Sequence, residues 1–538
     1  MDRATRNTHR FILLALSIST WCLLSTMLLL LLLLLRMQWI NHGGDLFNRR
    51  YAEDEVKISP TTVSKMKLKW EFFAGKDITA TPAIFDGIVY FPSWNGYLYA
   101  VNATSGSLVW GKNLTELTGL QGTGLVVGVN NTVSRATPTV AGDLLLIGIY
   151  GPAIVIAVKR STGEMVWSTR LDSRNSSTIT MSGTFYKGYF YVGVSSLEEL
   201  LPDELCCTFR GSMAKLEVCT GAIVWQTYTL PDNFGQRGEY AGAAIWGSSP
   251  SIDKKRNQVY VSTGNLYSAP QRIVDCLTKE NNQTGPPHPD ECVESENHEN
   301  SILAFDLNSG NMTWYKQLGG YDVWVISCLS IPDCLPGPNP DADFGESPMM
   351  LTIDVNGTKK DVAVAVQKSG FAWALDRDNG NIVWSSVAGP GGFVGGGTWG
   401  AATDKTRVYT NIVNNQLVNT TLVPSNQTTV AGQWVAMEAS TGKVLWSIAN
   451  PKNTSSGGPV TVANGVLFAG ADDPKGAIYA MDAKNGNILW SYETGATVHG
   501  GMSVSNGCIY VGNGYTVNIG SFFPINTPGT SLFAFCIS

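Results

Sequence analysis

Cysteine is the residue type in this chain whose spacing most directly indicates covalent chemistry. Cys22 lies in an apolar N-terminal stretch, and the other nine of the ten cysteines follow it. Two pairs bracket insertions and a third lies near the end, so disulfides are expected in an oxidising compartment, although spacing leaves the connectivity open. The candidate pairs are Cys276 and Cys292, Cys328 and Cys334, and Cys508 and Cys536. A Cys-x-x-Cys-His sequence is absent, so we expect no covalently attached haem.

Asparagines in Asn-x-Ser/Thr triplets indicate a second kind of chemistry, which is glycosylation in the secretory pathway. Ten such asparagines occur: Asn102, Asn113, Asn130, Asn175, Asn282, Asn311, Asn356, Asn419, Asn426 and Asn453. Such triplets also arise by chance, so it is their number that favours export.

The N-terminus predicts a targeting segment. Arg3, Arg6 and Arg10 precede residues 11–35, which carry no charge and end in eight consecutive leucines. This stretch is long enough to span a bilayer, and it lacks the small residues that usually mark a cleavage site. Residues 1–36 are therefore expected to be either a signal peptide or a signal anchor. Both alternatives place residues 37–538 outside the cell or in a lumen.

A repeated hairpin predicts the fold that positions these groups. Seven times a glycine is followed four residues later by a tryptophan, with apolar residues alternating on both sides and polar residues at the turn. The pairs are Gly106/Trp110, Gly163/Trp167, Gly221/Trp225, Gly310/Trp314, Gly380/Trp384, Gly442/Trp446 and Gly486/Trp490. Successive tryptophans lie 44 to 89 residues apart, which suits one four-stranded sheet per repeat.

The two ends of the chain carry complementary halves of an eighth repeat. Residues 531–536 resemble the first strand of the hairpin without a following tryptophan, and residues 67–72 resemble the second strand. Pairing them closes a ring and removes free sheet edges. The sequence therefore predicts an all-β, eight-bladed β-propeller over 37–538, closed by strands from both termini. A net charge of −6 and 15% charged residues offer no basic surface for nucleic acid.

The hairpins resemble the tryptophan-docking motifs of quinoprotein alcohol dehydrogenases, eight-bladed propellers that bind pyrroloquinoline quinone (PQQ) and calcium. Further segments are similar to polyvinyl-alcohol-dehydrogenase-like proteins, including plant members. These segments are 39–44, 206–212, 341–345 and 367–370. The resemblance covers about residues 38–538 and implies an oxidoreductase, although propellers without enzyme activity carry similar hairpins.

The resemblance implies a metal site. Residues 194–199 are similar to a loop that places a serine on the quinone and a carboxylate on calcium, so Ser196 is the predicted quinone contact and Glu199 the predicted ligand. Asn265 ends a turn whose asparagine oxygen also binds calcium in the family. Calcium prefers several oxygen ligands, so both residue types suit it. The alternatives are a solvated acidic loop and an asparagine that stabilises its own turn.

Four further residues are implied as quinone contacts. Trp246 would form an aromatic floor under the flat ring. Arg135 would hold a quinone carboxylate through two hydrogen bonds. Lys368 would polarise the quinone carbonyls and stabilise the oxyanion that forms. Trp399 would line the cofactor edge. The alternatives are core packing for the two tryptophans, a surface ion pair for Arg135 and a solvated loop lysine for Lys368.

The chain departs from the family pattern in two places. Relatives carry adjacent cysteines just before the segment of Arg135, whereas here Cys206 and Cys207 occur one repeat later and are the predicted cofactor contact. Relatives also use an aspartate upstream of the fourth full hairpin to accept the substrate hydroxyl proton. Ser295 occupies that place here, so Glu296 and Glu299 are the predicted replacements, with a solvated acidic loop as the alternative. Asp343 is another candidate.

Two functional hypotheses follow. The first is a PQQ-dependent enzyme that oxidises a small or polymeric alcohol by hydride transfer with calcium assistance and passes electrons to an external acceptor. The second is a propeller without redox chemistry that binds a ligand or partner, or catalyses another reaction, in its central pocket. The displaced cysteines and the missing aspartate favour the second hypothesis.

Overall fold

The computed structural model describes residues 38–202, 204–281, 292, 294–329 and 339–538 and shows a ring of eight four-stranded antiparallel blades. The predicted eight-bladed propeller is therefore confirmed. Blade 1 consists of Ala83–Phe85, Ile88–Ser93, Tyr97–Asn102 and Leu108–Asn113, and blade 2 of Thr139–Ala141, Leu144–Gly148, Ile154–Lys159 and Met165–Arg170. Blade 3 consists of Thr184–Tyr186, Tyr189–Ser196, Ser212–Glu217 and Ile223–Tyr228, and blade 4 of Ser251–Asp253, Gln258–Ser262, Ser301–Asp306 and Met312–Gln317.

The remaining blades follow the same order of four strands. Blade 5 consists of Met349–Val355, Thr358–Val366, Phe371–Asp376 and Ile382–Val387, and blade 6 of Ala402–Thr403, Arg407–Ile412, Gln433–Glu438 and Val444–Ala449. Blade 7 consists of Thr461–Ala463, Val466–Gly470, Ala477–Asp482 and Ile488–Glu493, and blade 8 of Ser503–Ser505, Cys508–Gly512, Ser531–Ile537 and Met66–Phe73. Short strands outside this pattern are Tyr51–Ala52, Ser177–Thr178, Ala241–Gly242, Leu266–Ser268, Thr420–Thr421 and Thr428–Thr429. The helices are Val63–Lys65, Leu114–Thr118, Glu198–Leu200, Gln271–Asn281, Ile326–Leu329 and Asn518–Phe522.

The repeated glycine and tryptophan join each blade to the next. The indole nitrogens of seven tryptophans donate to a backbone carbonyl of the following blade at 2.7–3.3 Å: Trp70, Trp110, Trp167, Trp225, Trp314, Trp384 and Trp446. Each ring also covers the hairpin glycine of that blade, where a Cβ would lie 2.5–2.8 Å from the indole. These glycines have φ of 70–78°. Any other residue there would have a strained backbone, and its Cβ would overlap with the indole. Both effects require glycine at these positions.

The eighth junction closes the ring as predicted. Met66–Phe73 pairs antiparallel with Ser531–Ile537, so the N-terminal strand completes the blade whose other three strands come from the C-terminal end of the chain. Here Trp490 meets Phe535 at a ring distance of 5.5 Å, because blade 8 has no hairpin glycine. A disulfide joins Cys508 and Cys536 on neighbouring strands of this blade, as expected. The predicted Cys276–Cys292 disulfide is also present, whereas Cys334 lies outside the described residues.

An N-terminal arm, residues 39–52, runs around the axis and bonds to every blade in turn. Successive arm residues bond to the first strand of blades 1 to 7, and Arg50 also reaches the Met502 carbonyl beside blade 8. The partners in blades 1 to 7 are Ile84, Val140, Thr184, Ile252, Met350, Thr403 and Val462. The arm therefore lines the inner wall of the ring and holds all eight blades together.

The expected targeting segment, residues 1–36, lies outside the described residues. Within the described part, no helix is long and apolar enough to cross a membrane.

Candidate active site

The candidate site lies on one face of the ring. Because the strands of a blade are antiparallel, the loops between second and third strands open on the same face as the connections between blades. Ser196 ends the second strand of blade 3, and Glu199, Asn265 and Lys368 follow second strands. Arg135, Trp246 and Trp399 lie in connections between blades. The fold thus brings residues from distant parts of the sequence to one end of the axis.

Two adjoining cavities occupy this face. The chamber is the inner cavity of about 80 Å³, bounded by all seven residues just named together with Asp343 and Tyr267. The vestibule is the outer cavity of about 420 Å³, and it shares Glu199, Trp246, Lys368 and Trp399 with the chamber. Its other walls are largely apolar and include Leu200, Trp324, Ile326, Phe393, Phe522 and Phe523. A pocket of this size with a few convergent polar groups is typical of a small-molecule site.

Lys368 is the central charged group. Its Nζ lies 2.7 Å from Asp343 Oδ1 and 3.0 Å from Asp341 Oδ1, and all three side chains are buried. Burial alone would lower the pKa of Lys368, but the two carboxylates outweigh it and raise that pKa above its usual value. Lys368 therefore remains a cation at neutral pH and presents positive charge to both cavities.

Glu199 faces Lys368 across the chamber. Burial raises the pKa of its carboxyl to about 7, an effect that the positive charge of Lys368 opposes and the charge of Asp343 reinforces. Within the described chain its carboxylate has no hydrogen-bond or ion-pair partner within bonding distance, although the side chain lines both cavities. An acidic group in this position is available to a cation brought in from solvent.

Asn265 and Ser196 complete the polar wall of the chamber. The Asn265 amide nitrogen donates to the carbonyls of Leu266 at 2.8 Å and Trp324 at 2.9 Å, so its oxygen is turned to the opposite side. Ser196 Oγ accepts from the Glu198 N–H at 3.0 Å, which fixes the turn leading to Glu199. Both residues are buried and border the chamber.

Aromatic rings and an arginine form the rest of the chamber wall. Trp246 meets Trp399 edge to face with ring centroids 4.9 Å apart, and its Nε1 donates to Asp343 Oδ2 at 2.8 Å. Arg135 lies over the Trp399 ring at 4.0 Å and is buried. No carboxylate of the described residues lies within ion-pair distance of Arg135, so its charge is uncompensated by the protein.

Trp399 adopts a backbone conformation that is rare for a bulky residue, with φ of 66°. The arm stabilises it, because His42 Nε2 donates to the Trp399 carbonyl at 2.6 Å. Burial and the charge of Arg50 lower the pKa of His42 well below its usual value, so this ring is neutral. Residues with a strained backbone cluster at functional sites. Here the unusual backbone conformation of Trp399 places its side chain in the wall of the chamber.

Cys206 and Cys207 are placed differently from the other predicted cofactor contacts. They form a disulfide between adjacent residues on the same face of the ring. Cys207 is buried in an apolar cluster, and its sulfur lies 4.0 Å from the Glu198 carbonyl. Neither cysteine lines the chamber or the vestibule.

The predicted proton acceptors also lie away from the cavities. Glu296 is exposed on the surface. Glu299 is fully buried, accepts from the Asp322 N–H at 3.3 Å, and has a pKa raised well above its usual value by burial and by Asp322. Asp322 in turn accepts from the backbone N–H groups of Asp341 and Ala342. The structure therefore places Glu299 in a network that supports the loop of Asp341 and brings neither glutamate to the chamber.

Three residues that sequence reasoning did not single out contribute to the walls or their support. Asp341 and His499 line the vestibule. Asp472 is hydrogen-bonded to Nδ1 of the His499 imidazole. Asp341 lies in the segment that resembled the family, two residues before the candidate Asp343. His499 carried a weaker signal, since it is one of only five histidines in the chain.

The described residues contain no group of three or more His, Cys, Asp or Glu side chains arranged to hold a metal ion by themselves. A metal ion here would therefore need oxygens from Asn265, from the backbone or from a bound guest in addition to Glu199.

An eight-bladed propeller with docking tryptophans and a polar axial chamber defines a recognised class. The PQQ_2 family model, described as "Outer membrane protein assembly factor BamB", matches residues 61–316 and 368–517, and the chain belongs to this family. A polyvinylalcohol dehydrogenase of Pseudomonas sp is 26% identical over 518 residues, covering 89% of this chain and 73% of that protein.

Two solved structures show the same fold. A quinohemoprotein alcohol dehydrogenase from Comamonas testosteroni superimposes with a TM-score of 0.70 at 18% identity, covering 93% of this chain and 80% of that one. A europium-containing methanol dehydrogenase gives a TM-score of 0.68 at 17% identity, covering 93% and 98%. The predicted resemblance to quinoprotein alcohol dehydrogenases is confirmed.

Proposed function

We propose that this protein is an alcohol dehydrogenase that uses PQQ together with a metal ion. The main observation behind the proposal is that seven predicted residues, from six separate connections of the ring, line one chamber. The relatives support it, since their names describe alcohol dehydrogenases with a quinone or a lanthanide. The fold alone would not support the proposal, because propellers host many functions.

The chamber suits a flat, acidic guest. Arg135 offers a buried positive charge without a carboxylate partner among the described residues, and Trp246 and Trp399 offer broad aromatic surfaces. PQQ is a planar molecule with carboxylates, which matches both features. Arg135 would therefore bind a quinone carboxylate, Trp246 would pack against the ring, and Ser196 would contact its edge.

The metal ion would lie beside Glu199 and Asn265. Glu199 supplies a carboxylate without a bonding partner in the described chain, and Asn265 supplies an amide oxygen whose nitrogen is already engaged. Hard oxygen donors of this kind suit calcium, which we propose as the ion, and they also suit a lanthanide.

The protein supplies charge, orientation and exclusion of water. A quinone bound there would supply the acceptor for a hydride from the carbinol carbon of the alcohol. Lys368, held protonated by Asp341 and Asp343, would donate a hydrogen bond to the oxygen on which negative charge develops. The sequence prediction of Glu296 and Glu299 as proton acceptors would require the loop of 294–300 to move, because neither reaches the chamber.

The vestibule indicates the kind of alcohol. Its walls of Trp324, Ile326, Phe393 and Phe522 favour a substrate with an apolar group next to the hydroxyl, since burying apolar surface contributes about 25 cal/mol per Å². Without a haem attachment sequence, electrons would leave to an external acceptor.

We also propose entry into the secretory pathway. The described sequon asparagines are exposed or half-buried, which leaves them available for glycosylation. Asn282 and the targeting segment 11–35 lie outside the described residues. Free secretion and single-pass anchoring both remain predictions.

Reconstitution tests the proposal. Purified protein is mixed with PQQ and either Ca²⁺ or Eu³⁺, desalted, and assayed for quinone absorbance and for dye reduction with benzyl alcohol. We expect quinone to co-elute and the dye to be reduced. Glu199→Gln is expected to weaken metal retention at least about tenfold, whereas the exposed Glu71→Gln on blade 8 serves as the matched control. Failure to retain quinone with either ion would leave the non-redox hypothesis standing.

A further inference from the structure

His499 and Asp472 form a buried acid–imidazole pair on the wall of the vestibule. Asp472 Oδ1 lies 3.1 Å from His499 Nδ1, and the His499 side chain is only 5% exposed. The two residues come from different connections, since Asp472 follows the second strand of blade 7 and His499 precedes blade 8. The pair is therefore created by the ring and not by a local motif.

The surroundings fix this pair in one orientation. The His499 ring stacks on Tyr515 with centroids 3.9 Å apart and planes 9° apart. Asp472 Oδ2 accepts from the Gly457 N–H at 2.8 Å. A Cβ at Gly457 would lie 2.4 Å from that oxygen and 3.0 Å from the imidazole, so the absence of a side chain there makes room for the pair.

The second ring nitrogen of His499 has no partner. Nε2 is buried and makes no hydrogen bond within the described structure, although the residue borders the vestibule and a smaller polar cavity with Arg135. An unsatisfied buried polar atom lowers stability, and a guest oxygen would supply the missing hydrogen bond. The ionisable groups around it are Asp472, Tyr515 and Arg135, with Lys368, Glu199 and Asp341 on the other walls of the vestibule.

The other carboxylates of the two cavities are less suited to accept a proton, since the proposed metal ion would bind Glu199. Asp341 and Asp343 both form ion pairs with Lys368, so their carboxylates already have a cationic partner. His499 instead has a carboxylate behind it, which orients the imidazole and stabilises its positive charge once a proton is gained. It also lies edge-on to Trp399, as Trp246 does, so both residues border the same indole.

We propose that His499, oriented by Asp472, is the residue that accepts the hydroxyl proton of the alcohol. This inference rests on the proposed function. The O–H bond breaks and its proton goes to Nε2, while the C–H bond breaks and its hydrogen leaves with both electrons to the quinone oxidant. The alcohol becomes a carbonyl compound, the quinone gains two electrons, and the imidazole becomes a cation next to Asp472.

Four variants test this role in protein reconstituted with PQQ and metal. His499→Gln is expected to lower kcat for benzyl alcohol by about 10²–10⁴-fold, the usual contribution of a general base, with quinone affinity by tryptophan fluorescence within twofold of wild type. Asp472→Asn keeps the shape of the pair and is expected to lower kcat at least about tenfold, since the imidazole loses its orienting charge. External imidazole is expected to restore activity to His499→Ala, which a purely structural role would not allow.

The matched control is His298→Gln. His298 also has a buried ring nitrogen without a hydrogen-bond partner in the described structure, but its ring lies against Tyr315 and borders neither cavity. We expect its kcat to equal that of wild type. A His499→Gln enzyme with kcat within threefold of wild type, or a His499→Ala enzyme that imidazole does not rescue, would overturn the assignment.

A second measurement separates this inference from the proposed function. If wild-type protein neither retains quinone nor oxidises alcohol, the proposed function fails, and binding of benzyl alcohol to quinone-free protein is then measured by saturation-transfer NMR. Weaker binding by His499→Ala than by His298→Gln would still support His499 as the contact of the hydroxyl. Equal binding by the two variants, or no binding at all, would refute it.

Discussion

Two buried arginines show how differently the same side chain is used in the arm and in the chamber. Arg50 of the arm is fully buried and makes five hydrogen bonds, to Val460, His42, Thr81, Thr461 and Met502. Arg135 of the chamber is almost as buried but lies on the Trp399 ring without an ion-pair partner among the described residues.

The difference between the two arginines distinguishes buried polar groups that stabilise the fold from buried polar groups that are available to a ligand. Four of the five hydrogen bonds of Arg50 join the arm to other parts of the ring and the fifth goes to His42 within the arm, so the charge is satisfied by the fold itself. In the chamber Arg135 lies beside two tyrosines, Tyr150 and Tyr515, but has no carboxylate partner among the described residues. Glu199 has no bonding partner there, and Nε2 of His499 on the vestibule wall makes no hydrogen bond within the described structure. Groups left in this state lower stability, and a protein retains them where a ligand supplies the missing partner.

The largest expected effect comes from removing Arg50. Arg50→Met leaves three carbonyls and two hydroxyls without their donor at the centre of the ring, so we expect a loss of about 3–5 kcal/mol in the free energy of unfolding. Urea denaturation followed by circular dichroism measures it. Arg272→Met is the control, since Arg272 pairs with Glu294 on the surface and its loss should cost no more than about 1 kcal/mol. Equal losses would contradict the central role of the arm.

A pH dependence is expected from Glu346, whose charge interacts with Arg50. Burial raises the pKa of Glu346 to about 7, against the opposing effect of the Val366 and Ala401 N–H groups and of Arg50. The folded state therefore keeps a proton that the unfolded state releases above its ordinary pKa of 4.5, so this contribution to stability is present below pH 4.5 and is lost as pH rises through 7.

We expect this carboxyl to lower the free energy of unfolding by about 3 kcal/mol between pH 5 and pH 8. Glu346→Gln does not titrate, so the difference in stability between wild type and variant should shift by that amount in favour of the variant. Parallel stability curves for the two proteins would refute the raised pKa.

Arg135→Met makes in the chamber the same change that Arg50→Met makes in the arm. No protein group loses an ion pair, so the stability of the quinone-free protein should change by less than about 1 kcal/mol. Affinity for PQQ should fall by about 10–100-fold, as for loss of a hydrogen bond to a charged group worth roughly 1.5–3 kcal/mol. Fluorescence titration and thermal denaturation of the same sample measure both quantities. A large loss of stability with unchanged quinone affinity would reverse the comparison.

The smallest expected effect concerns the rim of the vestibule. Phe522 is 49% exposed and lines the vestibule, so Phe522→Ser should raise KM for benzyl alcohol about fivefold, equivalent to about 1 kcal/mol of lost apolar contact, with kcat unchanged. Phe73→Ser is the control, because Phe73 is equally apolar and 72% exposed on the outer strand of blade 8. An unchanged KM in Phe522→Ser would argue against apolar selection by the vestibule.

The fold could be predicted from the sequence because each blade depends on contacts that recur along the chain. The glycine with positive φ, the tryptophan four residues later and the alternating strands all lie within one hairpin. The closing of the ring was also predictable, since Trp70 and Phe535 belong to complementary half-repeats. The disulfide between Cys508 and Cys536 followed from the same pairing.

The candidate site was predictable only in part. Arg135, Glu199, Asn265 and Lys368 lie in short segments similar to those of relatives, and the structure brings them together. The predictions for Glu296 and Glu299 relied on counting residues into a long insertion, where the path depends on Asp322, Asn297 and the loop of Asp341. Counting cannot locate a side chain whose position is decided by a hydrogen-bond network across two connections.

By itself the sequence determined the number of blades, their junctions and the order in which the chain visits them, because these depend on local strand pairing and on glycine conformation. Only the tertiary structure decided which buried polar groups are satisfied and which face a cavity. Arg50 and Arg135 are the same residue type in similar burial, and His499 meets Asp472 only because blades 7 and 8 are neighbours. Their roles differ because hydrogen-bond partners come from the whole ring.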